Sequence, residues 1–596
     1  MTLNDGAEGS VIDTESAPQQ AMQEVPADFE GWGWTVRRHD CAPKVTALAA
    51  LASLPAPEPV ASVMYTSKGN ALVVGGDERA VAAALRLSSS LPVTLLLTSR
   101  PSAQAAALAG FDLDATTFPI WGGKVSAISG YLGNFSVTLA DLAAVRDSGA
   151  RGLPGAAGVL FDLVVDFSDP PLFGHHQPPQ GYWRVTDADS CERALDDAQD
   201  AVGEFEKPRY FAYRENICAH ARSGIAGCNK CIEVCSTEAI HADGDHVKVD
   251  PYLCMGCGAC ASVCPSGAMS FQFPRVSDRG VQLKALLAAY AGAGGRDACI
   301  LFHNGTDGRD LLARSASAGR GLPARVIALE SWHVASAGID LLLGAVALGA
   351  SQVVVLSAGS EAPEYSRSLR EQMDLAQSIV SALGYSGRHF VLVETAEADA
   401  AIDVLEALAP ASIPATAATF ALSNDKRTAV EFAVEHLARH APTPATEIAL
   451  AIGAPYGEVV VDKEKCTLCL ACAGACPESA LMDGTDVPML RFLERNCVQC
   501  GLCERTCPEA AISLNPRLLL TPAVREARVL NETQPFHCVS CGKAFGTKQM
   551  VDTMLGRLAG HSMFADGAAL KRLQMCADCR VVDMMSNKNE VSVLRL

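Results

Sequence analysis

The sequence predicts a multidomain α/β chain in which two α/β domains of three-layer type alternate with two small α+β domains built round cysteines. A small four-cysteine segment closes it. Three observations carry this reading: two pairs of cysteine blocks near residues 218–264 and 466–507, two stretches alternating strand-like and helix-like apolar runs, and two Cys-x2-Cys pairs near the carboxyl end. A length of 596 residues holds roughly three to five domains. The expected partition is a polar tail at 1–35, α/β at 36–195, a cysteine domain at 196–275, α/β at 276–445, a second cysteine domain at 446–520 and the four-cysteine segment at 521–596.

The most regular run is Cys466-x2-Cys469-x2-Cys472-x3-Cys476-Pro477, followed by Cys497-x2-Cys500-x2-Cys503-x3-Cys507-Pro508. This spacing holds two [4Fe-4S] cubanes, because three thiolates two residues apart wrap one cube while the fourth, down a short helix, reaches the other. The expected sets are Cys466, Cys469, Cys472 with Cys507, and Cys497, Cys500, Cys503 with Cys476. The arrangement recurs about 240 residues earlier. There Cys254-x2-Cys257-x2-Cys260-x3-Cys264-Pro265 is regular, but its partner reads Cys218-x9-Cys228-x2-Cys231-x3-Cys235, with Ser236 where proline is usual. Crossing gives Cys218, Cys228, Cys231 with Cys264, and Cys254, Cys257, Cys260 with Cys235. Cys218 is the least regular member; without it that site keeps three thiols and suits a three-iron cluster or a cube with a labile fourth iron. Structural zinc uses two Cys-x2-Cys knuckles rather than this longer pattern. Disulfides are disfavoured because the amino end has neither a basic start nor an apolar core to direct export. The expectation is four [4Fe-4S] clusters and electron transfer.

Formal charge is −19. Such a surface repels nucleic acid and anionic membrane and suits a basic redox partner. The longest apolar stretches fall short of the roughly 20 residues of a membrane span. A soluble, cytoplasmic protein is expected.

The 36–195 domain carries one βαβ unit: strand Ala71 to Val74, turn Gly75-Gly76-Asp77, an alanine-rich helix and strand Val93 to Leu97. Glycines opening a helix suit a phosphate, but GGDERA places Asp77 and Glu78 where the phosphate would sit, and Ser99-Arg100 stands where a ribose-binding acid is expected. With Ile128 to Leu139, which includes GNFSV, and the strand Phe161 to Asp166, this unit resembles the flavin-binding domain of heterodisulfide reductase A-type proteins. The resemblance implies a nucleotide-binding shell; its incomplete glycines argue against bound flavin. Pro170 to Tyr182 reads as a covering loop, and His175-His176 within it as plain surface.

The second α/β domain is expected to place strands near Cys299 to Phe302, Arg325 to Leu329, Gln352 to Leu356 and His389 to Glu394. Through Arg325 to Leu356 and the helix before Gly384-Tyr385 it resembles the delta subunit of methyl-viologen-reducing hydrogenases. That family holds a [2Fe-2S] cluster partly through a Cys-x4-Cys segment. Aligned on Tyr365, those positions are Ala358 and Pro363 here, so the resemblance implies an adaptor that has lost its cluster. Cys41, Cys191 and Cys299 read as ordinary thiols.

At the carboxyl end Cys538, Cys541, Cys576 and Cys579 form two knuckles that suit one tetrahedral zinc ion in a zinc-ribbon-like segment, with a fifth iron-sulfur cluster or metal-free thiols as the alternatives. The whole resembles large bacterial polyferredoxins, implying an electron carrier or accessory redox subunit that serves soluble oxidoreductase partners, a formate dehydrogenase-like system among them. The rival is a flavin-containing oxidoreductase subunit that takes electrons from a nicotinamide. No catalytic residue is assigned.

Overall fold

The computed structural model describes residues 42–111, 118–146, 158–359, 361–484, 487–564 and 567–586. The expected tail at 1–35 and Cys41 lie outside them. Among the described residues no helix is long and apolar enough to cross a membrane.

The first α/β domain is built on a seven-stranded sheet. Its order is Val159–Phe161, Phe135–Arg146, Ile120–Ser129, Val93–Leu97, Ala71–Gly75, Leu163–Asp166 and Tyr182–Arg184. The central strands Ala71–Gly75, Val93–Leu97 and Leu163–Asp166 pair in parallel and are fully buried, as continuous apolar runs require when both faces are covered. The Phe135–Arg146 strand turns antiparallel and folds the GNFSV segment back against Ile120–Ser129. Helix Glu78–Leu87 is capped by Asp77, whose carboxylate accepts from the Arg79 amide at 3.2 Å. A side chain at Gly75 would meet Ala80 at 2.5 Å, so this glycine serves close helix-strand packing. The covering stretch Pro170 to Tyr182 is tied down by buried Asp166, which accepts from the Leu172 amide at 2.8 Å and the Tyr182 hydroxyl at 2.5 Å. His175 is partly buried in it and comes within 3.5 Å of Glu238 of the first cysteine domain.

The second α/β domain is a four-stranded parallel sheet ordered Val326–Ser331, Cys299–Asn304, Gln352–Ser357, Phe390–Glu394. These are the four expected strands, shifted by a residue or two at their ends. The helix Ile339–Ala347 is buried throughout, since it is apolar apart from Asp340 in its first turn, which is buried with it.

Two borders differ from the expected partition. Helix Ala42–Ala52, expected in the first α/β domain, places Ala47 and Leu48 in the core of the second, and Lys44 Nζ donates to the Pro323 carbonyl at 2.8 Å. Strand Arg528–Glu532, expected in the closing segment, pairs with Met489–Phe492 of the second cysteine domain. Contiguity in sequence is a poor guide here because both pieces find their apolar partners across a domain border.

The first cysteine domain pairs Phe211–Tyr213 with Met269–Phe271 and adds the hairpin Ile240–Asp243/His246–Val249. The second pairs Gly457–Val461 with Ile512–Leu519, and Leu481–Asp483 with Met489–Phe492. It is knotted by Glu494, which is buried and accepts from Arg517 Nε at 2.8 Å and Arg528 Nη1 at 2.6 Å.

Candidate functional site

The regular cysteine loops owe their curvature to left-handed backbone. Leu468 and Leu470 flank Cys469 at φ 53° and 61°, Gln499 and Gly501 flank Cys500 at 53° and 79°, and Gly256 and Gly258 flank Cys257 at 78° and 76°. Two such residues around the middle cysteine turn the chain tightly, so three thiols converge. At the leucines and Gln499 this costs roughly 1 kcal/mol or more each. In each regular block a five-residue helix then carries the fourth cysteine: Ala259–Val263, Ala471–Ala475 and Leu502–Thr506 end at Cys264, Cys476 and Cys507. Each of these sulfurs accepts a backbone amide: Met269 N–H to Cys264 at 3.4 Å, Ala480 to Cys476 at 3.2 Å and Ala511 to Cys507 at 3.3 Å.

The result is a crossed grouping. Cys466, Cys469, Cys472 and Cys507 line one cavity of the second cysteine domain, and Cys476, Cys497, Cys500 and Cys503 line another. In the first domain Cys231 stands within electrostatic reach of Cys264, Cys228 and Cys218, and Cys260 within reach of Cys257, Cys254 and Cys235. Burial pushes the Cys257 thiol up to about 12; it does the same at Cys472, with Cys466, Cys469 and Cys507 adding repulsion. Buried thiols such as Cys257 and Cys472, crowded by neighbouring sulfurs, resist ionisation by themselves. A cationic iron-sulfur core supplies the positive charge that makes four thiolates tenable, so the donor sets fit that group.

The irregular block is explained by its neighbours. Cys218 is buried, and the Tyr213 hydroxyl, which accepts the Val247 amide at 3.2 Å, is placed to stabilise a negative charge on its sulfur. Ser236, standing where proline is usual, places its hydroxyl 2.5 Å from that of Tyr365 in the second α/β domain. Tyr365 is 1% exposed, packs against Cys257 and Cys260, and its hydroxyl is placed to stabilise a negative Cys257 sulfur. A phenol has one proton, so when Ser236 donates to Tyr365 the phenol proton is free to face the Cys257 sulfur. His333 holds the ring edge-to-face at 5.1 Å and is itself fixed through Nε2 to Glu361 at 2.9 Å. On the other side Lys207 Nζ donates to the carbonyls of Tyr252 at 2.7 Å and Cys254 at 3.0 Å, and burial lowers its pKa to about 8.

Sequence reasoning used Tyr365 only as an alignment mark and missed its contact with a cysteine set. It also missed Lys426 and Arg427, which open the helix Lys426–Arg439 and donate to carbonyls of both cysteine domains. A signal for them was present: two cations at a helix N-terminus oppose its dipole and call for acceptors elsewhere. Ala358 directly follows the strand Gln352–Ser357, and Pro363 opens the helix Pro363–Ala382. Cys299 is buried in the four-stranded sheet, and Cys191 is half-buried on the helix Ala188–Asp200.

At the carboxyl end the sulfurs of Cys538, Cys541, Cys576 and Cys579 lie within 4.8 Å of one another. The first pair sits at the turn of the hairpin Pro535–His537/Ala544–Thr547. The second stands at the start of the helix Ala577–Ser586, rather than on a second hairpin. Burial raises the Cys538 thiol, but amides of Cys576, Cys541 and Ser540 outweigh it and pull the group below its ordinary value, while the sulfurs of Cys541, Cys576 and Cys538 push Cys579 up. The four sulfurs therefore ionise unequally, and Cys538 is the first to offer the thiolate that a zinc site needs.

Comparison with known proteins agrees with this geometry. The 4Fe-4S dicluster domain is matched by residues 226–268 and again by residues 464–512. Among similar proteins is a "Ferredoxin 7Fe" of Hydrogenibacillus schlegelii, 46% identical over 39 residues, which are 6% of this chain and 50% of that protein. "Hydrogenase-4 component A" of Escherichia coli (strain K12) is 30% identical over 91 residues, 14% of this chain and 42% of that one. The "Indolepyruvate oxidoreductase subunit IorA" of Pyrococcus horikoshii is 50% identical over 44 residues, 7% of each chain. The chain thus spans half or less of the length of these relatives. Two dicluster domains imply four [4Fe-4S] clusters, and the chain is an iron-sulfur, ferredoxin-like electron-transport protein.

Proposed function

We propose that this chain is a polyferredoxin that relays single electrons between soluble oxidoreductase partners, a formate dehydrogenase-like system among them, and is an accessory redox protein rather than an autonomous enzyme. The observation that supports this most is the crossed grouping of sixteen cysteines into four sets, two per dicluster domain. The ligands are Cys218, Cys228, Cys231 and Cys264; Cys235, Cys254, Cys257 and Cys260; Cys466, Cys469, Cys472 and Cys507; and Cys476, Cys497, Cys500 and Cys503. When bound, the clusters supply one-electron redox chemistry. The protein's part is to bury the thiols, orient them through the left-handed loops and donate amides to the sulfurs.

The two α/β domains are read as degenerate relatives of the heterodisulfide reductase A flavin domain and the hydrogenase delta subunit, retained as a scaffold. Asp77 takes up the amide that a phosphate would use, which favours a carrier over the flavin-containing alternative. The carboxyl-terminal Cys538, Cys541, Cys576 and Cys579 are assigned to one zinc ion. A net charge of −19 favours basic docking faces on the partners.

The test is anaerobic mixing of the isolated protein with dithionite, formate, NADH or NADPH while cluster bleaching is followed. Dithionite bleaches at least the higher-potential clusters, and the other three act only with an added oxidoreductase. Rapid bleaching by a nicotinamide alone, with one tightly bound flavin, would establish the flavoenzyme instead.

A further inference from the structure

The nine residues that widen the Cys218 to Cys228 interval form a hairpin, Ala221–Arg222 against Ile225–Ala226. Ser223 and Gly224 turn it at φ 51° and 77°, the paired left-handed geometry of a tight hairpin, and the Asp245 carboxylate accepts both amides at 2.9 and 3.3 Å. Its returning strand lies on the helix Leu502–Thr506 of the other dicluster domain. Arg505 Nη1 donates to the Ala226 carbonyl, and a side chain at Gly227 would stand 3.0 Å from Leu502 Cγ. Close by, Lys230 Nζ donates to the Gly453 carbonyl at 3.3 Å. At this seam Cys500 comes within electrostatic reach of Cys228, as well as of Cys476 and Cys497 in its own set.

A second device spans the same seam. The helix Lys426–Arg439 is anchored by Ala429, Val430, Ala433 and Leu437 in the core of the second α/β domain. Its first residue reaches the first dicluster domain: Lys426 Nζ donates to the carbonyls of Ala261 at 3.0 Å, Ser262, and Cys264 at 3.1 Å. Its second reaches the other: Arg427 donates to Pro455 at 2.6 Å, Arg495 at 2.7 Å and Cys497 at 3.0 Å, and its guanidinium lies 4.3 Å from the Tyr456 ring centre. The N-cap Asp425 adds a third link, accepting from Arg214 at 3.0 Å.

We propose that the widened Cys218 to Cys228 interval is an internal docking clamp which, with the Lys426-Arg427 brace, locks the two dicluster domains into one continuous series of four cysteine sets. The set containing Cys500 faces the set containing Cys228 across the seam. The ends are the set of Cys466, whose Cys469 is exposed, and the set of Cys235, roofed by Tyr365. An electron traversing the series leaves one external one-electron donor protein oxidised and one acceptor protein reduced, with the chain unchanged. The inference rests on the reading that all four sets carry clusters, and it gives the irregular spacing a purpose that ligation alone does not.

The test compares iron-loaded full-length protein with Arg505→Ala, Arg427→Met and the double variant, by iron analysis, amide hydrogen exchange across residues 221–227 and electron paramagnetic resonance of the fully reduced state. The double variant keeps its iron, exchanges these amides at least tenfold faster and loses the part of the cluster-cluster coupling that exceeds the coupling within each dicluster domain. Full iron with unchanged exchange and unchanged coupling overturns the clamp. Half the expected iron in the unaltered protein counts instead against the four-cluster reading. If the double variant fails to fold, Arg505→Ala alone decides: its side chain is exposed at the surface, and unchanged exchange at 221–227 in that variant is sufficient to reject the proposal.

Discussion

Tyr365 shows how one side chain from a neighbouring domain tunes a cysteine set. Its hydroxyl is placed to donate to the Cys257 sulfur, and such a bond stabilises the more negative, reduced state of whatever the sulfur binds. Tyr365→Phe removes that donor and lowers the midpoint potential of one cluster by roughly 40 mV, the one-electron equivalent of a net hydrogen bond of about 1 kcal/mol. Potentiometry with the four signals resolved checks this, and iron content stays unchanged. Crossed grouping makes a second prediction at this scale. Cys476→Ser damages the cluster of Cys497, Cys500 and Cys503 and spares that of Cys466, Cys469 and Cys472, because Cys476 lines the cavity of the former. Loss of the signal assigned to Cys466, Cys469 and Cys472 alone would mean that the pairing is not crossed. Thiol sets of this kind were legible because ligand spacing is local. The Tyr365 hydroxyl was not, since its partners Ser236 and Cys257 lie more than a hundred residues away and nothing periodic announces them.

Among the elements, the loops and helices that carry cysteines were readable from spacing and the alternating strands from their apolar runs. The borders were not, because helix Ala42–Ala52 and strand Arg528–Glu532 each pack where a distant apolar face lies open. The Arg528–Glu532 strand is held by the Glu494 knot. Burial works to raise the Glu494 carboxyl, and hydrogen bonds from Arg517 and Arg528 overcome it, holding the group below its ordinary value. Glu494→Gln destabilises the second dicluster domain by about 2 to 3 kcal/mol at neutral pH, less than a fully buried pair because Arg528 is 35% exposed. With the folded carboxyl depressed, the stabilisation is complete above the unfolded value near ~4.3 and is lost as pH falls through the folded value, so the gap between variant and parent closes in acid. Urea unfolding across pH measures it. For the closing segment, a Cys576→Ser, Cys579→Ser variant loses one zinc that mild iron chelation leaves in the parent; zinc unchanged in that variant removes the site.

Over the whole molecule the two α/β domains pack against the dicluster domains. The strand Ser62–Ser67 pairs with Gly203–Pro208, Tyr65 donates to the Tyr252 carbonyl at 2.6 Å, and Trp332 stacks on Tyr210 with centroids 5.4 Å apart. The large negative charge then acts outward. Electron transfer with a basic partner slows several-fold as ionic strength rises from roughly 0.02 to 0.2 M, because the Debye length shrinks to about 10 Å by 0.1 M; stopped-flow mixing reads this. The central claim, a carrier with four one-electron centres, is tested most directly by spin counting during an anaerobic reductive titration of fully loaded protein, using a reductant poised below every cluster. Two dicluster domains predict four electrons taken up and four cluster spins per chain. An end point of two electrons and two spins would contradict it.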